Sequence, residues 1–259
     1  MQNIDIVFIL QPIIIIMVCS GLVVYWHYKR SFRKVVLLYS FAAYFAAIAL
    51  KDVVQIPTLS LVVNYFGAQS VGVGVYYGLQ TVVFEVGGAF FVAWYAVSRG
   101  KFDRKDAEAF GLGLGFWENA VLLGLFSLVS LVAYYTILST NTSTAQTIYS
   151  QLNVSAPGLF SPLPQAFESV AFGVVERISS ILFHFSWGYL CVMAACLHKK
   201  QYLMLALPMG FIDFLVPFAP SLGLAVFEAL VFALSVASVA VAWYTTRKLR
   251  RKADASDLQ

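Results

Sequence analysis

"IDIVFILQPIIIIMVCSGLVVYWHYKR", residues 4–30, holds no Asp, Glu, Lys or Arg between Asp5 and Lys29. At a helical rise of 1.5 Å per residue that uncharged run is about 35 Å long, enough to cross a hydrocarbon core about 30 Å thick. It ends in a basic pair. No basic n-region precedes the run and no A-x-A-like cleavage site follows it, so it is expected to be a retained span rather than a signal peptide. The rest of the chain repeats the pattern. Its 259 residues are 60% hydrophobic and 12% charged, and mean hydropathy is +0.79, far from the balance of a soluble domain.

Seven apolar stretches are predicted to span, at about 4–28, 35–56, 70–98, 107–138, 165–197, 202–219 and 222–246. The fold class is therefore an all-α polytopic membrane helical bundle: one transmembrane domain over 1–246 and a basic cytoplasmic tail over 247–259. Positive charge orients it. Lys29, Arg30, Arg33 and Lys34 follow the first span, and Arg99, Lys101, Arg104 and Lys105 the third. Lys199 and Lys200 follow the fifth, and "RKLRRK" at 247–252 the seventh. Connections after the even-numbered spans carry almost no positive charge. The N-terminus is thus expected outside and the C-terminus in the cytoplasm, the protein being integral to a membrane, the plasma membrane by expectation. The outer connection 139–164 holds two glycosylation sequons, at Asn141 and Asn153. The net charge of +4 mostly restates the positive-inside bias. The tail is read as gripping lipid headgroups, with nucleic acid not expected as a partner. Cys19, Cys191 and Cys196 all fall within spans, so no disulfide framework is visible.

An ionisable side chain at the bilayer centre costs roughly 2.5–3.5 kcal/mol on insertion scales, which makes deep charges functional candidates. Asp5, His27, Lys51, Asp52, Glu168 and His198 lie near the predicted span ends, where snorkelling to the interface accounts for them. Glu85, Glu118, Glu176, Arg177, His184 and Asp213 do not. Glu85 is about 15 residues into its span, and Glu118, Glu176 and Asp213 are each about 11 into theirs, so four consecutive helices bring a carboxylate to nearly one level. Glu228, about two turns into the last span, stays outside the candidate site. Gly111 and Gly115, four apart, allow a neighbouring helix close to the backbone before Glu118. Arg177, Ser180 and His184 share a helical face, whereas Glu176 and His184 are separated by about 12 Å along the axis and cannot easily ligate one metal.

Several intramembrane chemistries are excluded by residue type. No H-E-x-x-H is present, only one histidine is deep, only one aspartate is deep, no G-x-S-x-G-like serine faces a histidine, and the last span has no Schiff-base lysine. What remains is a glutamate acting as general base on water with a histidine assisting, and neither a metal nor a cofactor is expected.

"VFEVGGAF" at 83–90, "GLGLGFWENA" at 111–120, "ERISSILFH" at 176–184 and "PMGFIDF" at 208–214 together resemble the successive motifs of the YhfC family. That family is a branch of the intramembrane proteases that include CAAX prenyl endopeptidases and bacteriocin-processing enzymes. The resemblance implies that Glu85 takes the place of the water-activating glutamate, with Glu118, Glu176-Arg177, His184 and Asp213 at the other motif positions. It also exposes departures. Val86 stands where the pattern has a second Glu and Ala89 near the expected Arg, while Leu114 and Met209 stand where histidines are expected. The leading expectation is an intramembrane protease in which Glu85, His184 and Glu118 are catalytic and Glu176, Arg177 and Asp213 support them. Its partner would be a membrane-protein substrate. The alternatives are an inactive scaffold or subunit of the same fold, bound to a partner subunit, and a proton-coupled transporter.

Overall fold

The computed structural model describes residues 4–140 and 142–256. Seven helices are long and apolar enough to cross a membrane: α1 (Ile6–Arg30), α2 (Val35–Phe66), α3 (Val71–Ser98), α4 (Arg104–Leu138), α6 (Leu163–Leu197), α7 (Lys200–Leu222) and α8, whose apolar part is Leu224–Thr245. The helix α8 itself continues to Ser256 and takes in the basic stretch. Between α4 and α6 the predicted outer connection contains a helix, α5 (Ser143–Ser155), started by the Thr142 side chain accepting from the Ala145 N–H. Asn153 lies on α5, and Asn141 lies outside the described residues. Among the described residues there is no strand.

The second predicted span differs from the structure at its end. Its predicted end is residue 56, yet α2 runs through Pro57 to Phe66, where Gly67 (φ 86°) stops it in a backbone conformation glycine adopts freely. Lys51 consequently lies at the middle of a 32-residue helix, not at an interfacial end.

The long helix α6 is the axis of the bundle: 72% of its apolar window is buried, against 6% for α2. Close backbone approach makes this possible. A Cβ on Gly188 of α6 would lie 2.6 Å from Gly111 Cα of α4, and one on Gly115 would lie 3.3 Å from Ile181 Cα, so the α4 glycines are packed against α6 as their spacing suggests. Apolar side chains such as Val53, Ile56, Leu61 and Phe91 face outward with more than half their surface exposed, a belt that lipid covers. At the ends of α1, α2 and α4 the basic loops are stapled. Arg33 pairs with Asp106, Arg30 Nε lies 3.4 Å from Glu108, and the Trp26 indole donates to Glu108 at 3.0 Å.

Candidate active site

Three spans leave regular α geometry where they carry their acids. In α3 the segment Thr81–Val86 is π-helical and holds Thr81 and Glu85, and in α4 the segment Trp117–Leu125 is π-helical and holds Glu118 and Asn119. In α7 the segment Phe211–Phe218 winds as a 3-10 helix and holds Asp213. Such insertions and tightenings recur at functional sites because they turn side chains away from the register that packing would impose. By contrast α6 stays α-helical through Arg177, Ser180 and His184.

Lys51 ties α3 to α7. Its Nζ donates to Glu85 Oε1 at 2.7 Å, to Thr81 Oγ1 at 2.9 Å and to Asp213 Oδ2 at 3.3 Å, while the Thr81 hydroxyl donates to Asp213. The lysine side chain is 14% exposed and Glu85 8%. A peripheral helix can supply this central cation because four methylenes carry the ammonium inward. The other oxygen of Glu85 faces His184, with Nε2 to Oε2 at 3.7 Å. His184 is 3% exposed and is fixed at its opposite nitrogen, Nδ1 lying 3.0 Å from the Ser180 carbonyl oxygen and 3.2 Å from Glu118 Oε2. Glu118 in turn accepts from the Ser180 hydroxyl and from Asn119 Nδ2 at 3.1 Å.

Glu85, Glu118, His184 and Asp213 thus converge through Lys51 and Ser180. Glu176 makes no hydrogen bond to these four, although it lines a cavity with them. Its side chain is 43% exposed and pairs with the adjacent Arg177, whose Nη1 lies 3.9 Å from Glu118. The i, i+3, i+7 face of α6 is realised, since Ser180 Oγ lies 3.3 Å from His184 Nδ1. A cavity of about 190 Å³ is lined by Lys51, Glu85, Glu118, His184, Trp187 and Asp213, among others. His184 Nε2 and Trp187 Nε1 are buried at this cavity with no hydrogen-bond partner, and the two rings lie 4.3 Å apart. A second, mostly apolar cavity of about 430 Å³ lies between α1, α4 and α6, and Glu176 and Arg177 line both.

Sequence reasoning missed Lys51, Thr81, Asn119 and Ser180 as parts of one network. Only the face arithmetic on α6 gave a hint of Ser180, and nothing marks Lys51 once its span is taken to end at residue 56.

A model of the family described as YhfC intramembrane metalloprotease matches residues 13–236. No curated protein and no solved structure matches the chain. The family description implies a metal ion, and the donor set here does not fit a resident one. Catalytic divalent sites use about three protein ligands with one open position. Here Glu85 and His184 could face a common ion, but Asp213 is turned to Thr81 and Lys51, and an ammonium already contacts both carboxylates. Leu114 and Met209, where histidines are expected, are buried apolar side chains. Among the described residues no group of three or more His, Cys, Asp or Glu is arranged to hold a metal.

Proposed function

The chain belongs to the YhfC family, an intramembrane protease family, and on that premise we propose that it cleaves peptide bonds of membrane-embedded substrates with water activated by Glu85. The arrangement around Glu85 carries this reading: one carboxylate oxygen is held by Lys51, and the other lies 3.7 Å from an imidazole nitrogen that has no hydrogen-bond partner, at the wall of a cavity. A water against Glu85 Oε2 and His184 Nε2 gives its proton to the carboxylate as its oxygen attacks the carbonyl carbon. The same proton then passes to the departing amine. His184 orients the water because its Nδ1 is fixed by the Ser180 carbonyl and Glu118, leaving Nε2 turned towards the reacting face. Glu118 holds that ring, and Arg177 and Glu176 border the chamber on the side of the larger cavity. The plasma membrane is the proposed location.

Glu85→Gln is expected to lower turnover by about 10²–10⁴-fold, the usual contribution of a general base. The assay compares new protein N-termini in membranes of cells producing the wild-type chain or the variant. Cleavages present with the wild type and lost with Glu85→Gln support the reading; an identical set of termini removes Glu85 from the mechanism. A scaffold of the same fold is the second reading, and the internal pairing of Glu85 with Lys51, Asp213 with Thr81 and Glu176 with Arg177 favours it. A partner that copurifies in constant ratio, together with unchanged N-termini, would decide for the scaffold.

A further inference from the structure

A site whose family description calls for a metal, yet whose donors do not fit one, still contains a cation. Lys51 Nζ lies between Glu85 Oε1 and Asp213 Oδ2, at 2.7 and 3.3 Å, and bridges acids from two different helices. Thr81 gives the ammonium its third oxygen contact, at 2.9 Å. The lysine arrives from the middle of α2, and its charge has been brought into the bundle although the helix around it is peripheral. Leu114 and Met209 meanwhile contribute apolar surface and no donor atom, so Glu85, Asp213 and His184 are the donors left to face an ion, and the ammonium engages two of them.

We infer that the Lys51 ammonium takes the place of a divalent cation in this site, so that the chain works as a metal-independent, lysine-assisted hydrolase. The chemistry rests on the hydrolytic reading above; the replacement of the cation does not. A tethered ammonium supplies one of the two services that an ion gives to amide hydrolysis, namely a fixed positive charge for the developing oxyanion. As the water oxygen bonds to the carbonyl carbon, the C=O π pair moves onto oxygen and is received by an Nζ–H of Lys51. The longest of its three contacts, to Asp213, is the one exchanged for the substrate oxygen. The water proton goes to Glu85, and collapse breaks the C–N bond as that proton reaches the amine. The lysine keeps its own protons throughout. A divalent ion between Glu85 and His184 would sit against this ammonium and be repelled by it.

The test is metal binding by the purified full-length chain, with zinc and cobalt salts as probes. Wild type incubated with zinc, washed and analysed by elemental mass spectrometry is expected to retain far less than one ion per chain. Lys51→Met frees Glu85 and Asp213 and is expected to take up zinc and to bind cobalt with a visible ligand-field spectrum; its melting temperature in detergent shows that it is folded. Lys51→Arg keeps the positive charge and is expected to exclude both ions. Near-stoichiometric zinc in the wild type that disappears in Glu85→Gln would overturn the inference. So would a folded Lys51→Met chain that binds neither ion. Any N-termini generated by the wild type are expected to persist in phenanthroline, and their loss with recovery on adding zinc would also overturn it. A chain that excludes zinc, gains it on Lys51→Met and generates no N-termini supports the replacement of the cation and counts against the hydrolytic reading.

Discussion

Thr81 is among the smallest side chains in the cluster, and it joins two of the charged groups there. Its single oxygen accepts from Lys51 and donates to Asp213, so it holds a cation and an anion from two other helices in place. Hydrogen bonds to charged groups contribute about 1.5–3 kcal/mol, and 1.4 kcal/mol is a factor of ten. Thr81→Val, nearly equal in volume, is therefore expected to reduce cleavage by about ten- to a hundredfold while Thr81→Ser retains most of it. Equal rates for the two variants would show that the hydroxyl is not needed. The acids of this cluster were legible from depth alone, since Glu85, Glu118 and Asp213 lie too far into apolar stretches to reach an interface. Lys51 was not. Its depth depends on where α2 ends: with the predicted end at residue 56 it lies within two turns of an interface, whereas in the helix that runs to Phe66 it lies in the middle.

The contrast among helices has the same origin. Along α6, uniform α geometry makes the 3.6-residue period a reliable guide, and Arg177, Ser180 and His184 fall on one face as their spacing requires. Along α3, α4 and α7 the site residues occur where that period is broken, and no single-sequence pattern announces a π-helical or 3-10 segment. Glycines were easier to read. Gly188 faces Gly111 so closely that an added methyl group would sit 2.6 Å from a backbone carbon, which gives it no flexible neighbour to displace. Gly188→Ala is expected to destabilise the bundle by about 1–3 kcal/mol, the usual penalty for overpacking, measured as a lower unfolding midpoint in detergent. Gly21 has open space around it, and Gly21→Ala is the control expected to leave that midpoint unchanged or raise it.

At the scale of the molecule, the family match and the seven spans agree on an integral membrane protein. Charge asymmetry makes a separate prediction about its direction. A cysteine replacing Ser150, on α5, is expected to react with an impermeant maleimide added to intact cells, whereas one replacing Lys29 is expected to react only after the membrane is opened. The reverse labelling would invert the predicted orientation. The π-helical segment of α3 bears on how such a bundle tolerates a change of length. Below it, Gly74 and Gly78 fit against Phe214 and Phe211; above it, Ala89, Ala93 and Ala96 fit into the core. The two halves are out of phase by one residue, or about 100° of helical rotation, and the segment between them absorbs the difference. Deleting one residue there would restore an ordinary helix and force one half to turn, so the extra residue is slack that the chain needs: it lets α3 satisfy two sets of neighbours that no uninterrupted helix could meet together.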